Sequence, residues 1–140
     1  MNRRKRTEIL IKASAEVAEN FAEEILEKYN VIVVEESNDG VVMVKLREKA
    51  KSSLFYLGEV LITECKVMIN GSLGIGIIKG NEPERAYRLA IIDAAYNANL
   101  PETEAWEKGL KHTEEVIAQA NEMFTSKVLK TKVNFETMDV

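Results

Sequence analysis

Two carboxylates and a hydroxyl in the apolar segment 54–69 are the first side chains that could do chemistry: Glu59, Glu64 and Thr63. Paired carboxylates can act as general acid and general base when their surroundings separate their pKa values. An enzyme built on them would need an acidic cleft in which burial raises a carboxyl pKa. The adjacent Cys65 is not an activated nucleophile, because nearby carboxylates raise a thiol pKa, and we expect it to be a small core residue.

Asp93 and Arg85 are the candidates in the next predicted helix. Asp93 shares a helical face with small residues at spacings of three and four, which are Ala86, Ala90 and Asn97. An acid on such a face is either buried and paired or reaches a partner, and the sequence leaves both open. Arg85, together with Arg88 and Lys79, could bind a phosphate.

A set of glycines precedes that helix, which is predicted to begin at Pro83. Backbone N–H groups at a helix start can hold a phosphate, but Glu82 and Glu84 lie there and would repel an anion. The glycine spacing also fits neither the dinucleotide fingerprint nor the P-loop. We therefore favour glycines that let a helix or a partner chain approach a strand. The structural set is Gly58, Gly71, Gly74, Gly76, Gly80 and Pro83.

The composition excludes several classes of protein. The 140 residues fit one domain, 1–140, with 46% hydrophobic and 30% charged residues. One cysteine and one histidine exclude a multi-cysteine or multi-histidine metal centre within the chain, so we expect no metal and no cofactor here. No apolar run exceeds four residues, whereas a membrane span needs about 20. We expect a cytoplasmic protein that does not enter a membrane.

The charge is uneven along the chain. The net charge is −4, and four of the 19 basic residues are Arg3, Arg4, Lys5 and Arg6. Without them, 15 basic residues face 23 acidic ones, a balance of −8. A nucleic-acid-binding domain normally carries a basic face on its folded body. We therefore favour a solvated, partly frayed terminus over a nucleic-acid-binding arm.

Hydrophobic periodicity predicts an α+β fold with a largely antiparallel sheet, because the strands are consecutive and do not alternate with helices. Two hairpins and a C-terminal strand form this sheet, and an N-terminal helix and two later helices cover it. The predicted elements are a helix over 7–29 with a possible break at Ser14, strands 31–37 and 41–47 around a turn at 38–40, a polar link over 48–53, a long strand 54–69 with a bulge or bend at Gly58, a turn at 70–71, a strand 72–79, helices 83–98 and 102–126, and a last strand 128–138.

Several blocks of the sequence, in order along most of the chain, carry a resemblance to a known family. They are Phe55 to Val67 (FYLGEVLITECKV), Asn70-Gly71, Gly74-Ile75-Gly76, Gly80 to Ala86 (GNEPERA), Ala90, Asp93-Ala94-Ala95, and Lys132 to Met138 (KVNFETM). Together they resemble the pattern of the PhnG family of the carbon–phosphorus lyase pathway. The N-terminal helix contributes least, since any amphipathic helix would fit there.

The resemblance implies a subunit of a core complex with PhnH, PhnI and PhnJ that breaks down alkylphosphonates. With PhnI, PhnH and PhnL, such a chain takes part in joining methylphosphonate to the ribose of ATP, which releases adenine. The product is α-D-ribose 1-methylphosphonate 5-triphosphate, and ATP is a substrate of the complex. The resemblance assigns no catalytic residue to this chain: PhnI is regarded as the nucleosidase-like catalytic chain, and PhnJ carries the iron–sulfur radical chemistry.

Two other functions stay open from the sequence. One is a self-sufficient small-molecule enzyme that uses Glu59, Glu64 or Asp93. The other is a nucleic-acid or regulatory module that uses the basic N-terminus. For the subunit, we expect an incomplete surface: strand 72–80, strand 128–138 or the helix stripe around Trp106 should expose apolar area or pair in a homodimer when the chain is isolated.

Overall fold

The computed structural model describes residues 2–47 and 54–138. Its elements are α1 (Arg3–Lys12), α2 (Ala15–Lys28), β1 (Ile32–Arg47), β2 (Leu54–Ile69), β3 (Ser72–Lys79), α3 (Pro83–Asn97) and α4 (Glu102–Met138). The strands form one antiparallel sheet in the order β1-β2-β3, so the predicted α+β class with an antiparallel sheet is confirmed. The predicted link over 48–53 lies outside the described residues. None of the described helices is long and apolar enough to cross a membrane.

The N-terminal helical segment is divided at Ser14, as the sequence predicted. Asn2 caps α1, because its side-chain oxygen accepts a hydrogen bond of 2.8 Å from the backbone N–H of Lys5. Ala13 and Ser14 are extended, and α2 begins at Ala15. The division lets the two helices take different directions, so that Ala18, Ala22 and Ile25 of α2 are buried in the core.

β3 and α3 pack closely against each other. Gly74 and Gly76 face α3, and a Cβ atom built on either glycine would overlap the backbone of that helix. The helix presents Ala86, Ala90 and Ala94 at this contact, and all three are fully buried. The helix that the glycines admit is therefore the chain's own α3 and not a partner chain.

The first predicted hairpin does not exist. Residues 32–47 form the single strand β1, and Asn38, Asp39 and Gly40 each pair with β2 in the middle of it. The register shifts at two places between Val33 and Asn38, so the extra residues form irregularities and do not reverse the chain. The prediction that 31–37 pairs with 41–47 was wrong, because the 16-residue β2 offers this segment a longer hydrogen-bonded partner than a two-residue turn would.

The second hairpin agrees with its sequence signal. Asn70 and Gly71 both have positive φ, and β2 pairs with β3 from Ile69 opposite Ser72 to Ile62 opposite Lys79. The bulge or bend that the sequence predicts at Gly58 of β2 is also present. Val44 pairs with Gly58 and Lys45 with Tyr56, which leaves Leu57 as an extra residue beside the glycine.

The predicted C-terminal strand 128–138 is a helix. It continues α4, which has 37 residues and a length of about 55 Å. No proline or glycine interrupts the chain between Leu110 and Met138, so the helix can propagate at little cost despite the alternating pattern. A strand would also need a neighbouring strand to pair with, and the alternating pattern alone does not show whether the fold supplies one.

Much apolar side-chain area stays exposed. β1 and β2 extend past the end of β3 as a two-stranded projection formed by 41–47 and 54–61, which we call the β ribbon. Its exposed apolar side chains are Val41, Val42, Met43 and Leu61, and those of the later part of α4 are Val116, Met123, Phe124 and Val128. The predicted apolar stripe of this helix is therefore buried at Trp106 and Leu110, partly buried at Ile117, and exposed at Phe124, which is 69% exposed.

We expect Gly76→Ala to lower the free energy of unfolding by about 3 kcal/mol, because the new methyl group must displace the backbone of α3. Gly109→Ala is the matched control. Its Cβ would lie 3.8 Å from the ring of Phe21, an ordinary contact, in a helix interior where alanine is favoured by about 1 kcal/mol. Urea unfolding of both variants measures the difference. Equal stability of the two would show that α3 does not need a bare glycine face.

Candidate functional site

The most organised polar site in the described structure is built around Asp93 of α3. This carboxylate is 5% exposed and accepts three hydrogen bonds. Oδ1 accepts from Arg6 Nη2 at 2.8 Å, and Oδ2 accepts from Arg3 Nη2 at 2.8 Å and from the backbone N–H of Ile75 at 2.9 Å. Asp93 therefore joins α1, α3 and β3 at one point. Of the two interpretations that the sequence left open, the buried and paired one is correct.

The site lies at the outer edge of the sheet, where β3 has no neighbouring strand among the described residues. Asp93 binds the outward N–H of Ile75, and the Asn97 side chain donates to the Leu73 carbonyl at 2.7 Å. Both side chains come from the α3 face that the sequence singled out. They satisfy backbone groups that an open edge would offer to another strand.

Arg6 is buried beside this carboxylate. Its guanidinium carbon lies 4.0 Å from the centre of the Tyr96 ring, a cation–π contact. Burial lowers the pKa of Arg6, and the Asp93 carboxylate opposes that shift. Tyr96 in turn contacts Trp106, whose ring stacks on Phe21 with centroids 4.7 Å apart. The ion pair is therefore continuous with the aromatic contacts between α2, α3 and α4.

This geometry corrects the interpretation of the basic N-terminus. The prediction of a frayed terminus was wrong, since all four residues belong to α1. Arg3 and Arg6 bind Asp93, and Lys5 lies 3.0 Å from Glu114 of α4. The spacing of Arg3 and Arg6 is the signal that could have revealed this, because residues three apart share one face of a helix.

Thr63 and Arg85 hold elements together. The Thr63 hydroxyl is buried, donates to the Gly80 carbonyl at 2.6 Å and accepts from the Glu82 N–H at 3.0 Å, which fixes the connection between β3 and α3. Arg85 donates to the carbonyl oxygen of Ile11 at 2.6 Å, near the end of α1. A cation at a helix C-terminus is favourable. Its guanidinium is therefore engaged within the fold.

Glu59 and Glu64 lie apart from Asp93. Glu59 is exposed in the β ribbon, whereas Glu64 is partly buried on the sheet face opposite α3, 3.5 Å from Lys66. Lys66 also contacts Glu35 at 3.2 Å and lowers the pKa of that carboxyl. The described residues thus do not combine the predicted carboxylates in one cleft. They also contain no group of three or more acidic, histidine or cysteine side chains that could hold a metal ion.

The sequence matches a known protein family over nearly its whole length. The family model of the phosphonate metabolism protein PhnG matches residues 1–139. The chain belongs to the PhnG family. No individually curated protein shows significant similarity to it. Membership in the PhnG family indicates a role in phosphonate metabolism, and it confirms the family suggested by the sequence blocks.

We expect Asp93→Asn to lower the free energy of unfolding by about 3–5 kcal/mol, because it leaves the buried Arg6 charge without its partner. Arg3→Ala is the control at the same carboxylate. The Arg3 side chain is 59% exposed, so its loss should cost less than about 1 kcal/mol. Urea titrations of both variants measure this order. A smaller effect at Asp93 than at Arg3 would contradict the assignment of Asp93 as the central acceptor.

Cys65 is expected to react slowly with a small alkylating reagent in the native chain. It is 1% exposed within the core, and burial raises the pKa of its thiol, so the reactive thiolate is scarce. Cys65→Ala should cost about 1–2 kcal/mol, the loss of one small buried group. Labelling rates with and without denaturant test this. Rapid native labelling, or a metal bound at the thiol, would overturn the assignment of Cys65 to the core.

Proposed function

We propose that this chain is a subunit of the carbon–phosphorus lyase core complex, with PhnI, PhnH and PhnJ as its partners. In that role it takes part, with PhnI, PhnH and PhnL, in forming α-D-ribose 1-methylphosphonate 5-triphosphate from ATP and methylphosphonate, with release of adenine. The complex is a transferase, and this chain supplies structure and surface to it without being catalytic alone. The observation that carries the proposal is the match of residues 1–139 to the PhnG family.

The placement of the polar residues supports a subunit without its own active site. The side chains of Asp93 and Thr63 form hydrogen bonds within the fold, and Arg85 donates to carbonyl groups at the end of α1. Glu59 and Glu64 lie on surfaces away from that site. A substrate with several phosphates needs clustered cations, and we propose that a partner subunit supplies them.

The exposed apolar surface supports an assembly role. The β ribbon and the later part of α4 both carry exposed aliphatic or aromatic side chains, and so does the sheet face opposite α3, through Leu73 and Ile77. Several exposed apolar side chains gathered on one element are typical of interaction surfaces in proteins. We propose that partner subunits cover these surfaces in the complex, and that the isolated chain forms a homodimer through one of them.

Co-expression with PhnI, PhnH and PhnJ tests the proposal. We expect a complex that stays intact through affinity and size-exclusion steps. With PhnL added, the complex should release adenine from ATP and methylphosphonate, and omission of this chain should abolish that release. Failure to co-purify over a range of salt concentrations would contradict the subunit role. Adenine release by the isolated chain would instead favour the self-sufficient enzyme.

We expect the double variant Val41→Ser, Met43→Ser to weaken this complex at little cost to the fold. Both side chains are more than half exposed on one face of the β ribbon, at 59% and 55%. Pull-down yield and urea unfolding together measure the two effects. Glu59→Gln is the control, because Glu59 lies opposite Met43 in the ribbon and its substitution removes no apolar side chain. This variant should keep both assembly and activity.

A further inference from the structure

A groove of about 570 Å³ lies between α1 and the sheet. Its apolar side is formed by Ile75 and Ile77 of β3 and by Ile11 of α1. The two β3 side chains project from the face opposite α3, because Gly74 and Gly76 alternate with them and face that helix. Ile77 and Ile11 are 45% and 39% exposed. The groove thus lies where α1 borders the sheet face that α3 does not cover, and it is open to solvent.

The other side of the groove is basic. Arg3, Arg4 and Lys12 of α1 line it, with Glu8 as the one acidic side chain. Arg3 is bound to Asp93, and Lys12 contacts Glu8 at 2.7 Å. Arg4 is exposed and lies one helical turn before Glu8. Lys12 lowers the pKa of Glu8 most, through its hydrogen bond and its charge, and the charge of Arg4 adds to that shift. One carboxylate therefore serves two cations here, and this part of α1 keeps an excess of positive charge.

The sheet face next to the groove has the opposite balance. There Lys66 lies between Glu35 and Glu64, so two carboxylates share one cation. The uncovered surface therefore runs from basic at α1 to acidic near β1, with Ile75 and Ile77 between the two ends. A partner that covers it needs apolar side chains in the middle and negative charge on the flank that meets α1.

We propose that this groove binds an acidic amphipathic segment of a partner subunit. The segment places apolar side chains on Ile75 and Ile77, and an Asp or Glu carboxylate at Arg4. The cause is desolvation: any partner that covers the isoleucines also removes water from Arg4, and a cation left buried without an anion is costly. The inference rests on the proposed subunit function and names the chemistry of one contact within it.

A polyphosphate ligand fits the groove less well. Two of the three cations already have carboxylate partners within the chain, and Glu8 lies among them. The apolar side consists of isoleucines, which offer a nucleotide no aromatic ring for stacking. A protein segment uses both halves of the groove, since it supplies apolar side chains and a single carboxylate at the correct spacing.

Arg4→Glu in the full chain is the decisive variant, with Lys108→Glu as its control. Lys108 is an exposed cation of α4 outside the groove, so both changes alter the net charge equally. We expect Arg4→Glu to weaken binding to the co-expressed PhnI, PhnH and PhnJ by about tenfold or more, and to reduce the salt dependence of binding. Lys108→Glu should leave both unchanged. Urea unfolding checks that the variants fold.

A photo-crosslinking residue at Ile77 identifies the occupant in the same purified complex. We expect a captured partner peptide that combines apolar residues with Asp or Glu, and we expect reversal of its acidic residue to Lys to restore binding of Arg4→Glu. Equal binding of Arg4→Glu and wild type would overturn the groove proposal and leave the subunit role intact. Absence of wild-type binding would overturn both. Capture of a second copy of this chain, or Arg4-dependent binding of ATP by the isolated chain, would also overturn the groove proposal.

Discussion

The close approach of α3 to β3 is the constraint on which the rest of the structure depends. It exists because Gly74 and Gly76 present no side chains to the alanines of the helix. At this short distance the Asp93 side chain reaches the outer N–H of Ile75 and draws Arg6 into the interior. A larger residue at either glycine would push the helix away from the sheet edge. One local contact therefore fixes where α1 can lie.

The elements that the sequence predicted correctly are those decided by local chemistry. Asn70-Gly71 determines its turn through positive φ, Pro83 suits the first turn of a helix, and Ser14 marks a break between helices. The prediction of a hairpin at Asn38-Asp39-Gly40 was wrong, because the turn preference of these residues competes with their pairing to the distant strand β2. The C-terminal strand failed for a similar reason, since alternation alone cannot show whether a strand has a neighbour.

The predicted site divides in the same way. The face of Asp93 and Asn97 stood out in the sequence, because an acid among alanines needs a partner. That partner is Arg6, 87 residues earlier in the chain, and only the fold brings the two together. Thr63 was selected as a candidate for chemistry, but it stabilises the connection to α3. Such roles depend on hydrogen bonds between distant segments, which periodicity and spacing do not encode.

Apolar side chains are divided between the interior and the surface of this chain. The interior is an aliphatic core that borders the Asp93–Arg6 ion pair and its aromatic neighbours, whereas further aliphatic side chains of the β ribbon, α4 and the uncovered sheet face meet solvent. The buried ion pair is satisfied within the chain and needs no ligand. The exposed apolar side chains gain free energy only when another surface removes them from water. Hydrophobic burial would therefore favour association, and the internal ion pair would keep the associating surfaces in place.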